Sequence, residues 1–151
     1  MNIGVDLDNT LVDYDAAFLA AAESLQIGLE SDVQSKSQVR EFLRSQPEGE
    51  QRWQRLQGLA YGRFLKSHAR LYPGVHRFLW RCREQGHTVR VISHKTEYGH
   101  FDAERVPLRK VALEILEAQG VVDTHDAPVR EVLFHTTLEE KFACIEKHSL
   151  D

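Results

Sequence analysis

The chain opens with apolar residues at every second position, Ile3, Val5 and Leu7, interleaved with Gly4 and Asp6 and followed by Asp8. A period of two over so short a run predicts a half-buried strand, here one that ends in carboxylates. The period then becomes helical. Tyr14, Phe18, Ala21, Ala22 and Leu25 share one face of a helix over residues 14–26, with Gly28 as its stop. Residues 30–36 are polar and read as a loop, after which Ser37 caps a helix carrying Val39, Phe42 and Leu43 that Pro47 ends. A further helix over residues 50–68 sets Trp53, Leu56, Ala60 and Phe64 on one side, against the weak helix propensity of Gly58 and Gly62.

Beyond the turn Tyr72-Pro73-Gly74 the pattern alternates between the two periods. Val75, Phe78, Leu79 and Cys82 form a helical stripe that Gly86 closes, and residues 88–93 read as a strand, Thr-Val-Arg-Val-Ile-Ser. Pro107 opens a helix bearing Val111, Ala112, Ile115 and Leu116, with Gly120 at its end. Residues 131–135 form another strand, and Thr137-Leu138-Glu139-Glu140 has the spacing of a capping box for a last helix with Phe142 and Ile145. Strands alternating with helices predict an α/β fold with a parallel, Rossmann-like sheet and helices on both faces. Residues 14–70 read as a small helical cap inserted after the first strand, and residues 1–13 and 71–151 as the α/β core.

Composition narrows the classes without naming a function. With 42% apolar and 28% charged residues in 151, the chain suits a globular domain that buries a core unaided. A net charge of -4 argues against a general grip on nucleic acid or an anionic membrane, and the arginines at 40, 44, 52, 55 and 63 are diluted by Glu41, Glu48 and Glu50. Cys82 and Cys144 are far apart and read as buried small hydrophobes. With no secretory h-region and no membrane-length apolar run, the expected location is the cytoplasm.

The chemistry concentrates in Asp6-Leu7-Asp8-Asn9-Thr10. Period-two geometry puts both carboxylates on one side of the strand, unless the chain is already turning there. At the C-terminal end of a parallel strand, where open α/β sheets bind ligands, two neighbouring acids call for a cation or hydrogen bonds. An acidic turn is the plainer reading of the pair taken alone.

An apolar strand, D-x-D-x-T and a helical insert together resemble the nucleophile motif of the haloacid dehalogenase superfamily. The resemblance runs from Ile3 to about His148. It implies that Asp6 attacks phosphorus to form an aspartyl phosphate, that Asp8 protonates the leaving alkoxide and then activates water, and that Thr10 supports the loop. An acid at residue 8 points to the phosphatase or phosphomutase branches of that family. By the same resemblance Ser93, at the end of its strand, contacts the phosphoryl group; Asn9, Thr10 and His94 are further candidates for binding phosphate. Lys141 neutralises Asp6, with Lys110 a competitor farther from a strand end. Mg²⁺ is the implied cofactor, held by Asp6 and Asp8, and a small phosphorylated metabolite the implied partner, over which the cap would close. His94 and Lys95 are candidates for an anionic leaving group.

The last motif of that family, a further strand ending in acids that bind Mg²⁺, has no counterpart among residues 148–151, His-Ser-Leu-Asp. Either the chain is truncated relative to its natural product or Asp123 or Asp126 supplies the carboxylate. Fewer fixed oxygen ligands predict weaker Mg²⁺ binding. The leading expectation is phosphate-monoester hydrolysis; the alternatives are a phosphomutase and a catalytically impaired binding or regulatory module. A transition-metal site of His94, His100 and Asp102 is a further, irregularly spaced option. Trp53, Tyr61 and Phe64 read as cap core before they read as a substrate-stacking wall.

Overall fold

The computed structural model describes residues 1–99, 102 and 104–150. The elements run β1 (Asn2–Val5), β2 (Val12–Asp13), α1 (Asp15–Ser24), α2 (Lys36–Arg44), α3 (Gly49–Leu59), a π-helical segment (Ala60–Phe64) and α4 (Leu65–His68). They continue with β3 (Arg70–Leu71), α5 (Val75–Glu84), β4 (Thr88–His94), α6 (Leu108–Ala118), β5 (Val129–His135) and α7 (Leu138–Lys147). Two compact units emerge: Met1–Asp13, Arg70–Thr96 and Ala112–Asp151 in one, Tyr14–Ala69 and Glu97–Val111 in the other. Residues 97–111, left with the α/β core by the sequence boundaries, thus group with the helical insert.

The first unit is built on a parallel sheet in the order β1-β4-β5. Val5 lies opposite Val91, and Ser93 opposite Phe134. Val89, Val91 and Ile92 of β4 are buried, as the central strand of a parallel sheet requires, and Leu79, Cys82, Leu116, Val121 and Cys144 complete the core. The expected strand at residues 131–135 begins two residues earlier, at Val129. Phe78 and Phe142, on packing stripes by their spacing, are both exposed instead. On α7 the buried face is centred on Cys144, which turns Phe142 outward.

Helix ends in this unit follow backbone chemistry. After α5, Gly86 takes a left-handed φ of 74°, its amide donates to the Arg83 carbonyl, and the His87 amide donates to Cys82. This pair of bonds is the Schellman closure, and a glycine adopts it without Cβ strain. Gly120 ends α6 in the same way. A two-residue antiparallel ladder, Val12 opposite Leu71 and Asp13 opposite Arg70, marks where the chain leaves this unit and where it returns.

The helical unit packs around aromatics. Phe18 stacks on Trp53 with ring centroids 5.2 Å apart, and Tyr61 meets Phe18 and Tyr14 edge-on at 5.4 and 5.3 Å. Trp53 and Tyr61 are buried, as core residues are. Residues 50–68 do not make one regular helix; α3 passes through the π-helical turn into α4. Gly62 sits in that turn, where a Cβ would lie 3.0 Å from Val106 Cβ. The cap of α2 is Ser35 rather than Ser37: the Ser35 side chain accepts from the Gln38 amide, and Ser37 is already outside the cap position. Among the described residues no helix is long and apolar enough to cross a membrane.

Candidate active site

Strand β1 ends in a tight turn. The amides of Thr10, Leu11 and Val12 all approach the Leu7 carbonyl at 3.1–3.3 Å, and Asn9 adopts a left-handed φ of 57°, which asparagine tolerates better than most side chains. Leu7 is buried, so alternation along the chain turns the flanking Asp6 and Asp8 away from it. Their side chains are 41% and 22% exposed.

Each carboxylate has its own lysine. Lys141 Nζ donates to Asp6 Oδ1 at 2.7 Å, and Lys95 Nζ donates to Asp8 Oδ2 at 2.9 Å. Lys141 comes from the first turns of α7, whose start is set by a reciprocal cap. Thr137 Oγ1 accepts from the Glu140 amide at 3.2 Å, and Glu140 Oε2 accepts from the amides of Thr137 and Thr136 at 3.2 and 2.8 Å. The capping-box spacing read from sequence therefore fixes the helix that aims Lys141. Lys95 is held differently. Its amide donates to the His135 carbonyl at 2.9 Å, carrying the β4–β5 ladder one residue past His94.

Ser93 is 1% exposed, and its Oγ has no hydrogen-bond partner among the described residues. His135 Nε2, on the neighbouring strand, is likewise buried and unpaired. His94 is exposed and its Nε2 donates to the Thr136 carbonyl at 2.8 Å, so that nitrogen is engaged by the β5–α7 loop. Asn9 and Thr10 are exposed on the turn. A cavity of about 360 Å³ reaches Asp6 and Lys141 and is otherwise lined by Gly4, Val5, Ile92, Ile145 and Leu150.

Other candidates lie elsewhere. Asp126 Oδ1 accepts from Arg83 Nη2 at 2.5 Å in an exposed pair, and Asp123 is exposed. Asp102 uses its oxygens on the amides of Glu104 and Val106, at 3.0 and 2.8 Å, so it serves its own turn. His100, its companion in the transition-metal option, and Asp151 lie outside the described residues. No cluster of three or more His, Cys, Asp or Glu side chains arranged for a metal occurs among the described residues. Lys95, a candidate in sequence for an anionic leaving group, pairs instead with Asp8, which sequence reasoning does not give. The signal was available in principle: two adjacent carboxylates need two counter-charges, and Lys95 directly follows the strand that ends beside them.

No protein-family model matches this chain, and no curated protein matches it. Solved structures do resemble it, among them the following three. A predicted phosphoglycolate phosphatase from Haemophilus somnus 129PT aligns over 99% of this chain and 72% of its own, with 23% identity and a TM-score of 0.50. A hydrolase from Streptococcus pneumoniae TIGR4 aligns over 99% and 78%, with 20% identity and a TM-score of 0.56. A HAD-superfamily hydrolase from Ehrlichia chaffeensis aligns over 99% and 72%, with 15% identity and a TM-score of 0.51. The shared property at these identities is the fold, which is HAD-like.

Proposed function

We propose that the chain is a phosphoric monoester hydrolase acting on a small phosphorylated metabolite. The observation that carries this reading is the pairing of Lys141 with Asp6 and Lys95 with Asp8 at the C-terminal end of the sheet, where α/β folds place ligands. Phosphoryl transfer asks a protein mainly for positioning and for positive charge around the transferring group. Two ammonium groups and a buried, unpaired Ser93 hydroxyl supply both.

In the first step an Asp6 oxygen bonds to phosphorus while the phosphorus–oxygen bond to the alcohol breaks. Asp8, entering this step in its acid form, gives its proton to the leaving oxygen and becomes a carboxylate. In the second step Asp8 removes a proton from water, the water oxygen bonds to phosphorus, and the bond to Asp6 breaks to release inorganic phosphate. Covalent capture divides one difficult displacement into two easier ones. Lys141 screens the Asp6 carboxylate from the dianionic substrate, and Ser93 Oγ donates to a phosphoryl oxygen, ending its isolation.

The donor set fits Mg²⁺ in a minimal way. Magnesium is commonly held by one or two carboxylates, with water and substrate phosphate completing its shell, and Asp6 and Asp8 match that need. When bound, the ion would supply further shielding of negative charge.

The reading is tested by phosphate release from a panel of phosphate monoesters with and without Mg²⁺. Turnover lost in Asp6→Asn, with the substitution leaving the melting temperature in place, is the expected result. No release from any ester by the unaltered chain would favour the second reading, a binding module.

A further inference from the structure

Lysine is rarely buried without a partner, because an ammonium group loses strong hydration. The Lys95 side chain is nevertheless only 3% exposed, and its ammonium is set against Asp8 Oδ2. Its backbone is pinned by the bond to the His135 carbonyl, so the ammonium is delivered from the end of the central strand and not from a wandering loop. Each of the two carboxylates thus has an ammonium against it: Lys141 on Asp6, Lys95 on Asp8.

We propose that Lys95 is a positioning residue that fixes Asp8 and occupies, with a built-in positive charge, part of the role a divalent cation would otherwise fill there. The consequence is a site that holds divalent cations weakly. A cation approaching Asp8 meets an ammonium already bonded to that carboxylate at 2.9 Å, in a partly buried site. The binding arm of this inference stands by itself; only its kinetic arm rests on the phosphatase reading.

The test is Mn²⁺ binding, followed by electron paramagnetic resonance or calorimetry, on the unaltered chain and on Lys95→Met, Lys95→Gln and Lys95→Arg. Lys95→Gln keeps a hydrogen-bond donor for Asp8 and removes the charge. Lys95→Arg keeps the charge. The unaltered chain is expected to bind Mn²⁺ no more tightly than about 0.1 mM, in the range of sites with few fixed oxygen ligands. Both neutral variants should bind about tenfold or more tightly than that, and Lys95→Arg should stay within about threefold of the unaltered chain. On a cleavable phosphate ester, kcat of the neutral variants should fall about 100-fold with KM changed less than about threefold, and Lys95→Arg should recover much of the loss.

Micromolar Mn²⁺ binding by the unaltered chain would overturn the proposal, and that measurement needs no variant to fold. Unchanged Mn²⁺ affinity in a folded neutral variant would overturn it too. Tightened binding with no turnover on any ester would remove the phosphatase reading and leave this inference standing. Turnover with unmoved affinity would do the reverse.

Discussion

Lys141 Nζ lies 2.7 Å from Asp6 Oδ1, which ties the last helix to the opening strand across most of the chain's length. The lysine is mostly buried and the aspartate partly open, so the contact is worth little as a stabiliser. Its value is as a fixed positive charge beside a nucleophile. Lys141→Met should lower kcat/KM by about 100-fold or more while costing under about 1 kcal/mol in stability. Steady-state kinetics beside urea denaturation separates the two effects, and a large stability loss with little kinetic effect would reverse this assignment.

The aim of that lysine depends on Thr137. Because the Thr137 hydroxyl and the Glu140 carboxylate satisfy each other's amides, Thr137→Ala should destabilise the start of α7 by about 1 kcal/mol. Activity should fall with it, since Lys141 lies one turn on. Thr137→Ser restores the hydroxyl and should restore both, which urea midpoints and turnover would show together.

What the sequence disclosed about this site tracks how local each signal is. A period-two run ending in Asp6 and Asp8, and the capping box before Lys141, are each written in a handful of adjacent residues, and both stand in the structure. The ladder of Val12–Asp13 with Arg70–Leu71 is too short to show any period. For Lys95 the sequence offers contact with an anionic leaving group or plain loop polarity; only the sheet, through the His135 carbonyl, and the bond to Asp8 reveal that it turns inward. Residues 97–111 follow β4 in sequence yet group with the helical insert, partly through the close approach of Gly99 to Gly58. No periodicity encodes an approach between two backbones.

Ser93 separates binding from folding. A buried hydroxyl without a partner costs about 1–3 kcal/mol of desolvation, and replacing it with a methyl group removes that cost. Ser93→Ala should therefore leave the ligand-free chain as stable as before or up to about 1 kcal/mol more stable. Binding of orthovanadate, which resembles phosphate, should weaken about tenfold, as expected for one lost hydrogen bond to an anion. Denaturation midpoints with and without vanadate measure both quantities. Lower stability together with unchanged vanadate binding would mean that Ser93 serves the core and not a ligand.

The end of α1 offers a test in the helical unit. The sequence points to Gly28 as the stop, but the helix closes earlier: the Gln26 amide donates to the Glu23 carbonyl and the Ile27 amide to Ala22, the two bonds of a Schellman closure. Gln26 therefore occupies the left-handed position, with φ of 54°, and carries the Cβ strain that glycine avoids at the ends of α5 and α6. Gly28 has a backbone outside that region, and a Cβ built there meets nothing within 4 Å. Gln26→Gly should stabilise by about 0.5–1 kcal/mol through relief of that strain. Gly28→Ala should stabilise by about 0.4–1 kcal/mol by restricting the unfolded chain. Gly49→Ala is the contrasting case, because its Cβ would meet the Leu43 carbonyl and lie 2.7 Å from Arg44 Cα; backbone yields poorly, and a loss of about 1–3 kcal/mol is expected. Thermal melts of the three variants, each compared with the unaltered chain, should order as two gains and one loss; a loss at Gln26→Gly would place the end of α1 elsewhere.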